Sequence, residues 1–200
     1  MNTAGLILAG GESRRFGRHK FNTLLDDQPL LDHVAARLKP QVDAMAVNLP
    51  RDCSRDGYTV LHEPEGERAG PLAGVLLGLE WAHMSGAEML VTIPVDVPFL
   101  PEDIVAQLSE VRIGSQPVCA MAGGRRHGLC ALWPVACLPT FMEIYTNQEI
   151  RTVNRMLDTL QVQEVSFEET PSSQFLNVNT GDDLRKARQI LLRIKGHEQD

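Results

Sequence analysis

The strongest chemical signal in this sequence is a glycine turn that leads into a group of cations. Gly10 and Gly11 follow an apolar run, and two glycines let a backbone turn tightly and bring its N–H groups close to a ligand. Four fixed cations then fall within the seven residues from Arg14 to Lys20, although the chain as a whole has a net charge of −7. This local reversal of charge favours a polyphosphate site, and the alternative interpretation is a solvated basic loop.

The loop lacks the signatures of three common enzyme classes. It contains no G-x-x-x-x-G-K-S/T, which excludes a P-loop, and no G-x-G-x-x-G follows the first strand, which disfavours a dinucleotide oxidoreductase. Ser13 also lacks the G-x-S-x-G frame of a hydrolase nucleophile. A phosphate site on this loop is therefore expected to be of another kind.

A single aspartate ends the apolar strand predicted over residues 88–95. Ligands of open α/β sheets bind beyond the carboxyl ends of the strands, and Asp96 stands at such an end. Mg²⁺ prefers oxygen ligands and often takes one or two carboxylates together with substrate phosphates. Asp96 is therefore a candidate Mg²⁺ ligand, and the alternative is an aspartate that shapes the turn before Pro98.

Two asparagines near the C-terminus form a second candidate site. Asn177 and Asn179 are alternate residues, so on an extended segment both amides would face one ligand. The alternative is a pair of turn-forming asparagines before a helix that begins after Thr180. Thr180 and Asp183 resemble a capping box at that point.

The elements that must position these residues alternate between strand and helix. The predicted strands cover 4–9, 43–48, 58–61, 88–95, 118–121, 129–133 and 162–167. Helices are predicted to open at Pro29, Pro71 and Pro101 and to cover 135–145, 151–160 and the C-terminal stripe 184–194. Gly123 to Arg126 would join two strands as a hairpin, and the spacing of Gly70, Gly74 and Gly78 indicates close packing of a helix. This alternation predicts an α/β sandwich with a mostly parallel sheet.

Length and composition limit the classes of protein that fit. A chain of 200 residues is expected to form one domain, 1–200, and its net charge of −7 with a pI of about 5.4 disfavours nucleic-acid binding. No stretch approaches the roughly 20 apolar residues of a membrane span, and the N-terminus is interpreted as a strand rather than a signal peptide. The four cysteines form no C-x-x-C pair, which favours reduced thiols in a cytoplasmic protein.

These segments together resemble a known family. Leu8-Ala9-Gly10-Gly11, with Arg15, Gly17 and Lys20, looks like the signature loop of nucleotidyltransferases that activate a phosphate or sugar phosphate with an NTP. Three further segments closely resemble the molybdenum cofactor guanylyltransferases: Gly70 to Gly74, Asp96 to Leu100, and Asn177 to Thr180 with the following Asp182-Asp183-Leu184. The opening loop is shared by several nucleotidyltransferases, and the late Asn-x-Asn-Thr segment is the more discriminating part.

The resemblance implies a three-layer Rossmann-like nucleotidyltransferase fold with a mostly parallel central sheet. It also implies a reaction in which GTP and a molybdopterin-type cofactor give the guanine dinucleotide cofactor and pyrophosphate, with Mg²⁺ as cofactor. Residues 1–110 would form the nucleotide-binding half and residues 111–195 the acceptor-binding half.

Matching positions carry the roles that the resemblance implies. Arg15, Lys20 and Asp96 would be catalytic, and Asp96 would also bind Mg²⁺. The residues that would contact the nucleotide are Leu8, Ala9, Gly10, Gly11, Lys20, Asn48, Glu63 and Asp96. The residues expected on the pterin side are Asn177, Asn179 and His127. Glu63 stands where the family usually has an aspartate, and Val95 stands where many members have a cysteine.

Other functions remain open at the level of the sequence. A cytidylyltransferase for the same cofactor and a sugar-1-phosphate nucleotidyltransferase share the opening loop. A nucleotide-binding adaptor that delivers cofactor without catalysis belongs to a different class, and a mere binder would not require the metal ligand Asp96. Transient contacts with cofactor-insertion proteins are expected by analogy only.

Overall fold

Strands and helices alternate along the chain, as the sequence predicts. The computed structural model describes residues 1–10, 19–62, 70–147, 150–168 and 174–197. Within these ranges the strands are β1 (Thr3–Leu8), β2 (Leu24–Leu25), β3 (Gln28–Pro29), β4 (Ala44–Leu49), β5 (Thr59–His62), β6 (Met89–Pro94), β7 (Val118–Ala122), β8 (Arg125–Pro134) and β9 (Gln163–Ser166). The α-helices are α1 (Leu30–Leu38), α2 (Pro71–Met84), α3 (Ile104–Val111), α4 (Leu138–Asn147), α5 (Val153–Thr159) and α6 (Gly181–His197). None of these helices combines the length and the apolar character that a membrane crossing requires.

Seven of the strands form one sheet, in the order β5–β4–β1–β6–β8–β7–β9, and β2 pairs with β3 separately. β8 is antiparallel to β6 and β7, whereas the other neighbouring strands of the sheet are parallel. The prediction of an α/β fold with a mostly parallel sheet is therefore confirmed. Because β4, β1 and β6 are adjacent and parallel, their carboxyl ends meet at one edge of the sheet.

The helices cover both faces of the sheet, which gives the molecule three layers. α1, α3 and α6 pack on the face that carries Ile7 and Val47, and α2, α4 and α5 pack on the face that carries Leu6 and Ala46. Successive residues of a strand point to opposite faces, so β1 and β4 each contribute side chains to both cores. Such strands are buried on both sides, which explains their nearly continuous apolar sequences.

The turn between β7 and β8 is shorter than the sequence predicts. Its two residues are Gly123 and Gly124, with φ values of 56° and 67°, and Ala122 pairs directly with Arg125. Two consecutive positive φ values are typical of the two-residue turns that match the twist of a hairpin. Arg125 and Arg126 therefore belong to β8 rather than to the turn, and β8 begins at Arg125 rather than at Leu129.

Close packing of α2 occurs at the third glycine of the predicted series. A Cβ atom at Gly78 would lie 2.5 Å from Leu6 Cδ2, which is closer than real Cβ contacts allow, and 3.0 Å from Leu90 Cδ2, which is a tight contact. A glycine at this position lets α2 approach β1 and β6 directly. This approach sets the distance between α2 and the strand ends that carry the candidate site.

Candidate active site

The carboxyl ends of β1, β4 and β6 surround a cavity of about 190 Å³. Two backbone hydrogen bonds fix this edge, because the Ala9 N–H donates to the Asn48 carbonyl oxygen at 3.0 Å and the Val95 N–H donates to the Leu8 carbonyl oxygen at 3.0 Å. The cavity brings together six of the residues that the sequence singled out, namely Leu8, Ala9, Gly10, Lys20, Asn48 and Asp96. These residues come from four separate segments of the chain.

Lys20 joins three segments at the edge of this cavity. Its Nζ donates to Asp96 Oδ2 at 2.6 Å and to Asn179 Oδ1 at 2.5 Å. The Lys20 and Asp96 side chains are only 17% and 16% exposed, so the ion pair is largely shielded from solvent. The Val178 N–H also donates to the Asp96 carbonyl oxygen at 2.9 Å, which attaches the late asparagine segment to the end of β6.

The second carboxylate oxygen of Asp96 is in a different situation. Asp96 Oδ1 is buried, and among the described residues it has no hydrogen-bond partner. A buried polar atom without a partner costs free energy, and such atoms need a specific explanation. A carboxylate oxygen in this position suits a hard divalent cation, which prefers oxygen ligands.

Cys130 contributes to the electrostatic surroundings of Asp96. The thiol is fully buried in β8, and burial, followed by the negative charge of Asp96, raises its pKa. A neutral thiol adds no negative charge near the Asp96 carboxylate. The Cys130 thiol is therefore inert.

Asn48 is held by the neighbouring strand. Its side chain is 1% exposed, and Nδ2 donates to the Leu61 carbonyl oxygen of β5 at 3.3 Å. This bond uses one of the two N–H groups of Nδ2, and Oδ1 is the acceptor of the side chain. An acceptor placed at the end of β4 suits a donor group of a ligand in the cavity.

His127 lines a second cavity, of about 200 Å³, together with Arg125 and Phe175. The rings of His127 and Phe175 lie with their centroids 4.7 Å apart. Burial, followed by the charge of Arg125, lowers the pKa of His127, so the imidazole is neutral near pH 7. The structure thus separates His127 from the cavity that contains Lys20 and Asp96.

The two asparagines contact different groups. Asn179 accepts the hydrogen bond from Lys20, whereas Asn177 Nδ2 donates to the Phe175 carbonyl oxygen at 3.4 Å. Lys20 lines the first cavity and Phe175 lines the second. The segment from Phe175 to Asn179 therefore runs from the lining of the second cavity to a side chain that lines the first.

Comparison with known proteins decides the class of this site. Residues 5–164 match the family model of the MobA-like NTP transferase domain. The chain belongs to this family. It is therefore a nucleotidyltransferase, and the resemblance seen in its sequence motifs is confirmed. The cavity at the ends of β1, β4 and β6 is the candidate active site of the transferase.

Individual relatives cover nearly the whole transferase. It is 40% identical over 194 residues to the molybdenum cofactor guanylyltransferase of Rhodobacter capsulatus, which covers 96% of this chain and 97% of that protein. It is 39% identical over 197 residues to the molybdenum cofactor guanylyltransferase of Cereibacter sphaeroides, with 96% and 98% covered. The solved structure of the molybdopterin-guanine dinucleotide biosynthesis protein A of Archaeoglobus fulgidus has the same fold, with a TM-score of 0.73, 19% identity, and 95% and 99% of the two chains covered.

Three of the predicted site residues, Gly11, Arg15 and Glu63, lie outside the described residues of the transferase. Two residues to which the sequence assigned no part in ligand binding, Gly70 and Pro71, line the cavity. Gly70 has a φ of 127°, which favours glycine, and Pro71 begins α2. The Gly-Pro pair at the start of a helix could have indicated this role in the sequence, because the N-terminus of a helix that faces a cavity favours anions.

Proposed function

We propose that this nucleotidyltransferase transfers GMP from GTP to the terminal phosphate of the molybdenum–molybdopterin cofactor. The products are the guanine dinucleotide form of the cofactor and pyrophosphate. Support comes from curated relatives of that name, 40% and 39% identical over nearly the full length of the chain. The observation that carries the proposal is the cluster of Lys20, Asp96 and Asn179 at the cavity that Gly10 also lines.

The reaction needs no protein nucleophile. An oxygen of the acceptor phosphate, already ionised near pH 7, attacks the α-phosphorus of GTP. The new O–P bond forms as the bond between the α-phosphorus and its bridging oxygen breaks, and pyrophosphate leaves with the electron pair. The protein must therefore bring two polyanions together and stabilise the charge that develops on pyrophosphate.

Lys20 and Arg15 supply positive charge in this proposal. In the structure Lys20 Nζ contacts Asp96 and Asn179, and Lys20 lines the cavity. A phosphate oxygen that enters the cavity would accept a hydrogen bond from Lys20 Nζ. Arg15, from the same loop, would contact the leaving pyrophosphate.

A divalent cation is a general requirement of this class of enzyme, and we assign Mg²⁺ to that role here. Asp96 would hold it, because Asp96 Oδ1 is buried without a partner among the described residues. When bound, the cation would neutralise charge on the triphosphate. Lys20 would then shift from the Asp96 carboxylate toward the phosphates.

The nucleotide and the acceptor occupy different halves of the chain in this proposal. The backbone at Leu8, Ala9, Gly10 and Gly11, together with Asn48 and Glu63, would hold the nucleotide in the half formed by residues 1–110. The acceptor would bind to residues 111–195, where His127 lines the second cavity and Asn177 and Asn179 shortly follow Phe175, which also lines it. The neutral His127 ring beside the Phe175 ring supports an aromatic surface for a pterin.

We further infer a cytoplasmic location and transient contacts with cofactor-insertion proteins. All four cysteines are free thiols, which supports a reducing compartment. The contacts with insertion proteins are inferred because the proposed product is a cofactor that must be delivered to molybdenum or tungsten enzymes.

The test is release of pyrophosphate from GTP, CTP and ATP, each with and without molybdopterin cofactor and each with and without Mg²⁺. We expect release that requires GTP, the acceptor and Mg²⁺ together. Faster turnover of CTP would assign a cytidylyltransferase instead. GTP binding without pyrophosphate release under all of these conditions would assign a cofactor-delivery adaptor.

A further inference from the structure

Three metal-binding side chains meet outside the candidate active site. His19, Asp52 and Cys53 each offer one donor atom, and the three atoms lie within 4.8 Å of one another. Asp52 is exposed, whereas His19 and Cys53 are half-buried. None of the three residues has a part in the proposed transfer reaction.

The separation of two of these donor atoms suits a tetrahedral cation of the zinc type. Zinc bonds are about 2.3 Å to sulfur, about 2.0 Å to an imidazole nitrogen and about 2.1 Å to a carboxylate oxygen. A sulfur and a carboxylate oxygen on one tetrahedral zinc are therefore about 3.6 Å apart, by trigonometry on those bond lengths. Cys53 Sγ and Asp52 Oδ1 are 3.7 Å apart, so this pair already has the required separation.

The backbone on both sides of this cluster is fixed. The Asn22 N–H donates to the His19 carbonyl oxygen at 3.0 Å, and the Cys53 N–H donates to the Pro50 carbonyl oxygen at 3.0 Å. The His19 ring also stacks on the ring of Phe21, which is 2% exposed, with centroids 5.5 Å apart. Preorganised ligands lose little conformational entropy when an ion binds.

We propose that His19, Asp52 and Cys53 form a binding site for a zinc-type divalent cation, with three protein ligands and a fourth position for water. The imidazole nitrogen, a carboxylate oxygen and the thiolate sulfur would each donate an electron pair to the ion. The thiol proton, now directed at Asp52, would pass to solvent. Sulfur and nitrogen ligands distinguish this site from the all-oxygen surroundings that Mg²⁺ prefers.

The proposed cation site lies between two segments that border the nucleotide cavity. His19 directly precedes Lys20, and Asp52 and Cys53 follow β4, which carries Asn48. An ion at this site would tie the segment that bears Lys20 to the connection between β4 and β5. The site would therefore hold one edge of the nucleotide cavity in place without contacting the nucleotide.

Cobalt is the probe for the test, because Co²⁺ replaces Zn²⁺ and its spectrum reports its ligands. Full-length, metal-stripped protein is titrated with Co²⁺ and then with Zn²⁺. We expect one Co²⁺ per chain, a thiolate-to-cobalt charge-transfer band, visible bands of tetrahedral intensity, and loss of both when Zn²⁺ is added. An excess of Mg²⁺ should leave the cobalt spectrum unchanged.

Ligand and control variants complete the experiment. Cys53→Ser should abolish the charge-transfer band, and His19→Ala and Asp52→Asn should each weaken cobalt binding by about tenfold or more. His83→Ala and Asp56→Asn remove the same side-chain types from exposed positions and should leave the titration unchanged. Equal thermal midpoints of the metal-free proteins establish that all variants fold. Absence of the thiolate band, or cobalt binding unaffected by Cys53→Ser and His19→Ala, would overturn the proposal.

Discussion

Asp96 has two carboxylate oxygens in contrasting surroundings, and this contrast is the most informative feature at the scale of single residues. One oxygen accepts a hydrogen bond from Lys20 at 2.6 Å, and the other is buried without a partner among the described residues. A purely structural ion pair would be expected to satisfy both oxygens. The unsatisfied oxygen is therefore better explained by a ligand than by stability.

Asp96→Ala should reduce nucleotidyl transfer by at least about a hundredfold while the protein stays folded. The change removes the proposed metal ligand and leaves Lys20 with Asn179 as its remaining described partner. Pyrophosphate release measures the activity, and circular dichroism with thermal unfolding measures the fold. Asp56→Ala, on the exposed connection before β5, is the matched control and should keep full activity. Near-normal turnover by a folded Asp96→Ala protein would contradict the assignment.

At the scale of secondary-structure elements, the start of α6 shows how a local sequence fixes a helix. The Asp183 N–H donates to Thr180 Oγ1 at 3.2 Å, and Asp183 Oδ2 accepts from the Thr180 N–H at 2.9 Å. This reciprocal pair is the capping box that the sequence predicts, with aspartate in place of glutamate. Capping interactions of this kind contribute about 1 kcal/mol to stability.

Asp183→Asn should lower stability at neutral pH, and the deficit should shrink in acid. The hydrogen bond from the Thr180 side chain, followed by backbone N–H donors, lowers the pKa of Asp183 below its ordinary value of 3.8. Because the folded pKa is lowered, the stabilisation is fully present above pH 3.8 and is lost as the pH falls through the folded pKa. Thermal unfolding of both proteins across this pH range measures the effect. Asp182→Asn removes the same charge outside the capping box, and an equal pH dependence in that variant would refute the prediction.

Gly78→Ala should destabilise the protein although alanine favours helices. Alanine gains about 1 kcal/mol of helix propensity over glycine, but overpacking a close contact costs about 1–3 kcal/mol. The new Cβ would meet Leu6, which is fully buried in the central strand, so we expect a net loss of about 1 kcal/mol in urea denaturation. Gly196→Ala, in α6 with no neighbour within 4 Å of the added Cβ, is the control and should be neutral or slightly stabilising. Equal effects of the two substitutions would rule out the packing explanation.

The sequence predicts the elements well where apolar periodicity and proline or glycine boundaries are local, as in β1, α1 and α2. It misplaces the start of β8, because Arg126 is held in the strand by Asp158 and Glu164, which follow more than 30 residues later. Ion pairs between residues so far apart in the chain do not alter the local pattern of apolar residues from which strands are predicted. The start of α3 also differs, since the chain first makes a turn after Pro101 and the helix begins at Ile104.

The sequence also predicts part of the candidate active site. The sequence predicts that Lys20 and Asp96 lie close together, because each follows the end of a predicted strand and their charges are opposite. The structure shows this contact, although 76 residues separate the two. The different contacts of Asn177 and Asn179 were not predictable, because they depend on how the late segment crosses the edge of the sheet. The separate cavity of His127 depends on the extended β8, and the sequence had placed Arg125 and Arg126 in a turn.

At the scale of the whole molecule, burial divides the four thiols into two classes. Cys119, Cys130 and Cys137 lie in the two cores that flank the sheet, whereas Cys53 is partly exposed. Burial raises the pKa of Cys119 to about 11 and that of Cys137 to about 12. The three core thiols are therefore protected both by inaccessibility and by protonation.

Native, metal-free protein should react with a thiol reagent at one cysteine, and denatured protein at four. Raising the pH from about 7 to about 9 should not label the core thiols, because their pKa values lie above this range. Mass spectrometry of the labelled protein identifies the site. Cys53→Ser should give an unlabelled native protein, and rapid modification of a second cysteine in that variant would show that the core is not closed as described.

The bond from the Val178 N–H to the Asp96 carbonyl oxygen has a consequence for biosynthesis of the protein. A ribosome completes β6 long before it adds residues 177–179, yet Val178 and Asn179 bind the Asp96 backbone and the Lys20 side chain. A nascent chain that ends before this segment therefore lacks both of these hydrogen bonds. We expect the arrangement of Lys20 and Asp96 to be completed only when translation of the polypeptide is almost over.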